Sequence, residues 1–500
     1  MAGRLRRADT GTGIVKEDAY LGLDLGGTGA KAGVFDRSGA MLGFGHRAYA
    51  PDIDAAGHAE IPIEVIYKAA RGAVREALSR GRLRVLAMSV SSQGQTFVSL
   101  DEKDRPLHPA ILWYDSRAAR QAERLRQAVA HLPGPLPWIE AIASAPKILW
   151  LREQKPDAMR RARRYLLLPD YIAYRLTGQA VTDPNTAGST ALSAEASPGY
   201  HPGVLQAAGI REGQLARILP CGRPTAKVTR AMAREWGLSP DTMFVTGTND
   251  QYAGALGAGN CRPRILSETT GTCLALVTLT RSLPQPMPAG LLGGRFPIHP
   301  YRYALAYSKT AGVVLDWFQR EFCGVLSLRE LDGMAAEVPI GARGISMLPH
   351  FDGMVSPAPS PQVRGAFVGL TLQHTRADLY RAILESLTFS LRENIEFLQQ
   401  CGFRMDVIRS IGGGAKNDMW LQMKADVTGL PVEKPKVTEA AVMGAAMLAA
   451  VGQGDFKSLQ QSSEALYRRD RVFKPNQRNL RAYDEAYGRY RALTGHALLA

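Results

Sequence analysis

The sequence predicts an α/β protein made of two similar halves. Short apolar segments that predict strands, such as Tyr20 to Asp24, alternate with segments of helical spacing, such as Ile63 to Leu78. A strand, a polar glycine turn and a second strand occur between residues 20 and 35, and the same order recurs from Ile265 to Leu279. This repeat predicts a duplicated two-domain architecture, with the passage from Gly259 to Pro263 as the hinge.

The composition is typical of a soluble globular protein. The 500 residues are 45% hydrophobic and 21% charged, and no apolar run approaches the roughly 18 to 20 residues that cross a bilayer. The formal charge of +15 is scattered along the chain, so neither nucleic acid nor a membrane is an expected partner. Residues 1–17 carry basic side chains without an apolar stretch and predict a flexible tail. The five cysteines show no CxxC spacing, which argues against a disulfide or zinc framework and favours the cytoplasm.

The first glycine turn follows a carboxylate. Asp24 ends the first predicted strand and Gly26, Gly27 and Thr28 come next, before another strand. A carboxylate at a strand end can hold a hydrated Mg²⁺, and turn amides can bind phosphate oxygens, although the same pattern is also that of a plain hairpin. The turn precedes a strand rather than a helix and has no P-loop lysine, which disfavours Rossmann and Walker A sites. Phosphate contacts would then come from turn amides, Thr28 and Lys31, unless Lys31 is a solvent-facing strand residue.

A second carboxylate begins a segment of small residues. Asp250 follows the predicted strand Phe244 to Gly247 and precedes the letters AGALGAG. A helix N-terminus there would stabilise an ionised side chain, and an N-cap aspartate is the alternative explanation. Together, Asp24 and Asp250 suggest phosphoryl transfer, in which one carboxylate handles a metal and the other accepts a hydroxyl proton.

Polar residues at other predicted strand ends are candidates for contacts with a ligand. Gln93 and Gln95 follow a buried strand, where amides can bond sugar hydroxyls or simply satisfy a loop. Asp115 and Arg117, in the letters WYDSRA, are either site residues or a surface turn pair. The run GGGAKND at residues 412 to 418 is either a bare turn or a surface on which a flat ligand can lie.

In this order, the motifs DLGGT, NDQ and GGGAKND resemble those of the FGGY family of carbohydrate kinases, from about Tyr20 to Asp455. The letters SAPKILWLREQ at residues 144 to 154 follow the first signature of that family, except at its leading position, where Ile142 stands. The second signature is met by GAFVGL at residues 365 to 370 and DLYRAILE seven residues later.

The resemblance implies two actin-like, ribonuclease-H-like domains around a central catalytic cleft. Residues 18–259 would form the sugar-binding domain, residues 260–485 the adenosine-binding domain and residues 486–500 a helical tail. The implied cofactors are ATP and Mg²⁺, with Asp250 as the general base and Asp24 at the metal.

The family also implies the remaining contacts. The phosphates and the adenosine would be bound by Gly26, Gly27, Thr28, Lys31, Thr270, Gly271, Thr272, Gly312, Gly413, Gly414 and Asn417. Of these, Lys31 would contact the phosphates. The sugar would be bound by Gln93, Gln95, Asp115 and Gln251.

Two departures from the family pattern bear on the nucleotide and on the sugar. Glu268 stands where glycine is usual, so it either turns away from the phosphates, helps to bind metal or changes nucleotide use. The letters QGQT at residues 93 to 96 replace the Gln-Met-His-Gly of xylulokinase-like members, which puts D-xylulose in doubt. A ketopentose or related ketose is the leading expectation; a polyol or aldonate kinase and a catalytically silent sugar sensor are the alternatives. The oligomeric state stays open, with a homodimer as one option.

Overall fold

The computed structural model describes residues 17–133, 136–194 and 199–499. The predicted basic tail therefore lies outside the described residues, apart from Glu17. Among those residues, no helix combines the length and the apolar character that crossing a membrane requires.

The first half of the chain contains a six-stranded sheet and a five-stranded sheet, flanked by helices. Its strands are β1 (Glu17–Leu25), β2 (Gly29–Phe35), β3 (Met41–Ala48), β4 (Asp52–Ile53), β5 (Ala59–Ile61), β6 (Leu83–Ser92), β7 (Phe97–Leu100), β8 (Ala110–Ile111), β9 (Arg164–Leu167), β10 (Val181–Thr182), β11 (Arg217–Ile218), β12 (Pro224–Lys227) and β13 (Met243–Asn249). Its helices are α1 (Ile63–Leu78), α2 (Ala119–Val129), α3 (Ser144–Gln154), α4 (Pro156–Arg160), α5 (Leu168–Thr177), α6 (Pro184–Gly188), α7 (Pro202–Ala208), α8 (Arg230–Trp236) and α9 (Asp250–Gly257), with a 3₁₀ turn at Glu212–Gln214.

The second half is built around a seven-stranded sheet. Its strands are β14 (Ile265–Thr270), β15 (Leu274–Thr280), β16 (Leu292–Arg295), β17 (Arg302–Ser308), β18 (Ser346–Leu348), β19 (Ala366–Val368), β20 (Val407–Ile411), β21 (Val432–Pro435) and β22 (Arg469–Phe473). Its helices are α10 (Gly312–Phe322), α11 (Leu328–Ala336), α12 (Arg376–Gln400), α13 (Asp418–Thr428), α14 (Ala440–Gln453), α15 (Leu459–Leu466) and α16 (Gln477–Leu499), with 3₁₀ turns at Ala342–Gly344 and Gly413–Lys416.

The two large sheets repeat one arrangement. In the first, the order is β12-β13-β6-β1-β2-β3, with β1 antiparallel to β2 and parallel to β6. In the second, β14 is antiparallel to β15 and parallel to β20. The strand, turn and strand that recur in the sequence are therefore the β1–β2 and β14–β15 hairpins, as the sequence predicts.

The two faces of β1 pack in different cores because successive strand residues point to opposite sides. Leu21, Leu23 and Leu25 lie in the core beneath α1. Tyr20, on the other face, packs with Val442 and other residues of α14, which belongs to the second half of the chain. Helix α14 thus covers the sheet of the first half.

Small residues allow α14 to approach α9 at backbone distance. A Cβ at Gly444 would lie 1.9 Å from the carbonyl oxygen of Ala253, and a Cβ at Gly257 would lie 1.9 Å from that of Ala440. Real Cβ atoms do not approach backbone oxygens so closely, so only glycine fits at both positions. The letters AGALGAG and AAVMGAAMLAA therefore describe the two faces of one close helix contact between the halves.

Some sequence predictions of secondary structure are wrong. The spacing of apolar residues from Leu205 to Leu219 predicts a helix, but α7 ends at Ala208 because Gly209 takes a left-handed conformation with φ of 68°. The segment from Ala226 to Trp236 divides into a strand and a helix, because the side chain of Thr229 accepts the amide of Met232 and caps α8.

The final helix runs across the predicted boundary between residues 485 and 486. Helix α16 begins at Gln477 and continues to Leu499. Tyr487 and Tyr490 are buried in the core of the second half, packed with Phe389. Aromatic burial on one face explains why this polar segment belongs to the domain core.

We expect Gly444→Ala to reduce the free energy of unfolding by roughly 1 to 3 kcal/mol or more, because the new methyl group meets the backbone of α9. Urea denaturation measures the change. Gly333→Ala is the matched control, since Gly333 is also helical and a Cβ there meets no described atom within 4 Å. Equal stability of the two variants would contradict the close-contact explanation.

Candidate active site

Two carboxylates lie at the same edge of the first sheet. Asp24 in β1 and Thr248 in β13 both pair in register with Ser91 of β6, and both pairings are parallel. Asp250 follows Thr248 by two residues as the first residue of α9. Two strand spacings separate β1 from β13, or about 10 Å. The parallel strands therefore place Asp24 and Asp250 at the same end of the sheet, where the charge of Asp24 acts on Asp250.

Burial makes both carboxyl groups harder to ionise. Burial raises the pKa of Asp24 to about 6, against a hydrogen bond of 2.9 Å that the Ser91 hydroxyl donates to it and the positive charge of Lys31. Burial, and next the negative charge of Asp24, raise the pKa of Asp250 to about 7. A carboxylate with a pKa near the working pH can accept a proton and later release it.

Asp250 is not the N-cap of its helix. That role belongs to Asn249, whose side-chain oxygen accepts the backbone N–H of Gln251 at 3.1 Å. The same N–H donates to Asp250 Oδ1 at 2.8 Å. The capping explanation for Asp250 is therefore wrong, and its carboxylate stands at the start of α9.

A buried amide and an indole face the first glycine turn. A Cβ at Gly27 would lie 3.8 Å from Gln93 Oε1 and 3.9 Å from Trp113 Nε1. Gln93 is only 3% exposed, and neither its Oε1 nor its Nε2 has a hydrogen-bond partner among the described residues. Leaving a buried amide unpaired costs about 1 to 3 kcal/mol per group, so this side chain is suited to a polar ligand.

Lys147 holds in place the short segment after β8 that carries Trp113. Its ammonium donates to the carbonyl oxygens of Leu112 at 2.6 Å and Trp113 at 3.0 Å. Burial lowers the pKa of Lys147 to about 7. The sequence predictions did not include Trp113 or Lys147, although Lys147 stands within the letters SAPKILWLREQ.

Asp115 lies in a buried ion pair. Its oxygens accept from the guanidinium of Arg117 at 2.7 to 3.0 Å and from the backbone N–H of Ala59 at 2.7 Å. Arg117 also donates to Glu60 and stacks over Trp150, 4.9 Å from the ring centre. Asp115 is thus fully paired within the protein, and its expected contact with a sugar stays a prediction.

Two further residues expected at the sugar lie near these groups. Gln95 has a left-handed backbone with φ of 60°, and its carbonyl accepts from the Ser144 hydroxyl at 2.9 Å. Gln251 is partly exposed and follows Asp250 directly. Their substrate contacts also stay predictions.

The segments expected to bind nucleotide meet in the second half. The β14–β15 turn holds Thr270, Gly271 and Thr272, and the backbone N–H of Gly312 donates to the carbonyl of Gly271 at 2.7 Å. A Cβ at Gly414 would lie 2.7 Å from Thr270 Cβ, so the glycine run touches the same turn. Gly413 and Asn417 complete this region, where the Asn417 side chain caps α13.

The side chain of Glu268 points into the interior, where it is bonded to the base of the turn at Thr270. Lys424 Nζ donates to Glu268 Oε2 at 2.8 Å, to Thr270 Oγ1 at 3.1 Å and to Ser410 Oγ at 3.2 Å. The hydroxyls of Thr270 and Ser410 also donate to Glu268, whose side chain has no exposure. The structure therefore supports the alternative in which the carboxylate of Glu268 turns away from the phosphates. The ammonium of Lys424 neutralises its charge.

Lys31 links the two halves through an acidic residue. Lys31 Nζ lies 2.7 Å from Glu439 Oε2, and Lys416 Nζ lies 3.5 Å from Glu439 Oε1. Lys31 also pairs across β1 and β2 with Asp24. Glu439, directly before α14, was not predicted as a site residue, because it stands in none of the motifs identified in the sequence.

The family assignment rests on both halves. A model of the FGGY family of carbohydrate kinases, N-terminal domain, matches residues 19–257, and the corresponding C-terminal model matches residues 269–453. The chain belongs to the FGGY family of carbohydrate kinases. It is therefore a phosphotransferase with an alcohol group as acceptor, and the resemblance drawn from its motifs is confirmed.

Known proteins match this FGGY kinase over nearly its full length. A xylulose kinase of Staphylococcus epidermidis (strain ATCC 12228 / FDA PCI 1200) is 30% identical over 483 residues, which cover 96% of this chain and 97% of that protein. An autoinducer-2 kinase of Yersinia enterocolitica is 28% identical over 506 residues, covering 95% and 94%. The crystal structure of a xylulose kinase from Rhodospirillum rubrum superposes with a TM-score of 0.81 at 25% identity, covering 96% and 98%. The predicted two-domain α/β fold is confirmed.

We expect Lys424→Met to reduce the free energy of unfolding by roughly 3 to 5 kcal/mol, because Glu268 would remain buried without its cation. The double variant Glu268→Gln with Lys424→Met should recover much of that loss, since a neutral amide can bond Thr270 and Ser410. Chemical denaturation compares the two. A double variant as unstable as the single one would show that the pair does not act as a unit.

We expect Asp250→Asn to stabilise the fold at pH 8 by up to about 4 kcal/mol. The pKa of Asp250 in the folded protein, about 7, lies above the ordinary 3.8, so ionisation of Asp250 costs the parent protein stability as the pH rises from 4 through 7. The extra stability of Asp250→Asn over the parent protein should therefore disappear near pH 4. Thermal unfolding between pH 4 and 8 measures it, with exposed Asp52→Asn as control. No difference from the parent protein at pH 8 would refute the burial effect.

Proposed function

We propose that the enzyme transfers the γ-phosphoryl group of ATP to a hydroxyl of a ketose, with a ketopentose as the leading candidate, Asp250 as general base and Asp24 at Mg²⁺. The observation that carries this proposal is the meeting of Asp24 and Asp250 at the shared edge of β1, β6 and β13. Both groups have a raised pKa, and the charge of Asp24 contributes to that of Asp250.

The residues present fit a nucleotide and a metal ion. Asp24 lies beside the turn of Gly26, Gly27 and Thr28, where the backbone amides of Gly27 and Thr28 suit phosphate oxygens. Among the described residues, no cluster of three or more acidic, histidine or cysteine side chains could hold a metal. Mg²⁺ commonly takes one or two carboxylates, with water and phosphate oxygens as its other ligands, so a single Asp24 is in keeping with it.

The chemistry of the chain's own residues follows from their environment. A sugar hydroxyl is a very weak acid, so its attack on phosphorus requires a nearby group that accepts the proton. Asp250 can do so when ionised, and the positive N-terminal end of α9 favours that form. When bound, Mg²⁺ would neutralise charge on the phosphates. The amides of Gly27 and Thr272, which donate no backbone hydrogen bond to the described residues of their turns, would bind phosphate oxygens from the two halves.

The identity of the acceptor rests on fewer observations. The unpaired amide of Gln93 and the indole N–H of Trp113 both suit hydroxyl groups. The 30% identity to a xylulose kinase favours a ketose, whereas an autoinducer-2 kinase at 28% identity shows that other acceptors occur among the relatives. A polyol or aldonate kinase is the alternative. A catalytically silent sensor is disfavoured because both Asp24 and Asp250 are present.

A panel of ketoses, polyols and aldonates tests the proposal. We expect a ketopentose to stimulate ADP release most strongly, with a product one phosphoryl group heavier by mass spectrometry. Activity should fall on the acid side of about pH 7, where Asp250 becomes protonated. Asp250→Asn should lower turnover by roughly 100- to 10,000-fold while ATP binding is retained.

Each result separates the alternatives. A polyol or an aldonate as the best acceptor would refute the ketose assignment and leave the phosphoryl transfer intact. Binding of a sugar without turnover would support the sensor. Full activity of Asp250→Asn would refute its role as the base.

A further inference from the structure

Glu439 holds two lysines at the junction of the halves. Lys31 Nζ lies 2.7 Å from Glu439 Oε2, with 38% and 21% of the two side chains exposed. Lys416, in the glycine run, lies 3.5 Å from the other oxygen of Glu439. Both lysines belong to segments that flank the proposed nucleotide, so one carboxylate engages cations from both sides of the cleft.

The charge of Glu439 reaches the metal-side carboxylate. Lys31 stands opposite Asp24 in the β1–β2 pairing, and its positive charge lowers the pKa of Asp24 whereas Glu439 raises it. Burial alone would raise the pKa of Glu439, but Lys31 and Lys416 together hold it below the ordinary value. Glu439 is therefore an ionised carboxylate close to the phosphate-binding turn.

The backbone fixes Glu439, whereas the lysines can move. Glu439 immediately precedes α14, which packs closely against β1. A Cβ added at Gly22 would lie only 1.9 Å from the Val442 carbonyl oxygen. The backbone N–H of Gly412 donates to the carbonyl oxygen of Thr438 at 3.2 Å. This hydrogen bond connects Thr438, the residue before Glu439, to the glycine run. Lys31 and Lys416 have four-carbon stems with many rotamers, so a change of partner would be made by the lysines.

We propose that Glu439 competes with the phosphates of the nucleotide for Lys31 and Lys416. A carboxylate and a phosphate oxygen bind the same ammonium group, and the more highly charged triphosphate is the stronger partner. Glu439 keeps both lysines at the cleft and lowers nucleotide affinity, which speeds the release of ADP. This inference rests on the proposed function, because it requires a nucleotide at this cleft.

Calorimetric titration of ATP and ADP into the full-length protein tests the competition. Glu439→Gln should bind ATP roughly 3- to 30-fold more tightly, because one opposing negative charge is removed. Lys31→Met should bind ATP more weakly. In the double variant Lys31→Met with Glu439→Gln, the main contested cation is gone. The increase in the logarithm of ATP affinity caused by Glu439→Gln should therefore be less than half of its value in the parent protein.

Two further variants make the test specific. Glu433→Gln is the matched control, since Glu433 pairs with Arg409 at 2.9 Å and Arg469 at 3.2 Å instead of these lysines; ATP affinity should not change. Glu439→Asp keeps the charge on a shorter side chain and should tighten binding less than Glu439→Gln. It also serves if Glu439→Gln does not fold, which thermal unfolding would show.

The outcomes are distinct. Unchanged or weaker ATP binding by Glu439→Gln overturns the competition. Glu439→Asp is judged in the same way where only that variant folds. In either case, ATP binding by the parent protein leaves the proposed function standing. A gain that persists undiminished with Lys31→Met also overturns it. Failure of the parent protein to bind ATP overturns the proposed function and this inference together.

Discussion

Parallel pairing of β6 with both β1 and β13 is the constraint on which the site depends. Hydrogen bonds on both sides of β6 fix Asp24 in β1 and Asn249 at the end of β13, so the residue after Asn249, Asp250, begins α9 at a fixed place relative to Asp24. Two carboxyl groups held in partly dehydrated surroundings repel one another when ionised, and each unit of raised pKa corresponds to about 1.4 kcal/mol. The fold thus maintains an electrostatically unfavourable pair, which suits the cation and the proton acceptor that we propose for this place.

Two buried polar side chains, one in each half, differ in whether the protein itself supplies their partners. In the second half, Glu268 has Lys424, Thr270 and Ser410 as partners, so its charge is satisfied within the protein. In the first half, the amide of Gln93 is equally buried but has no partner among the described residues. A satisfied group fixes a turn, whereas an unsatisfied one is suited to a ligand.

Local sequence patterns predicted the features that depend on neighbouring residues. The glycine turns, the helix from Ile63 to Leu78 and the fold family all agree with the structure. Partners far apart in the chain could not be predicted, because periodicity states which face is buried and not what covers it. Lys424 beside Glu268 and Glu439 beside Lys31 are such cases. The helical spacing after Leu205 misled because Gly209 stops the helix.

The position of α14 has a consequence for how the polypeptide can be divided. This helix lies late in the chain, yet it covers the face of β1 and touches α9 through backbone atoms. A fragment that ends at the predicted hinge would expose the apolar side of its sheet, including Tyr20, Phe35 and Val245. The halves are therefore duplicated in topology but not autonomous, and cleavage at the hinge would yield two pieces that need each other to fold.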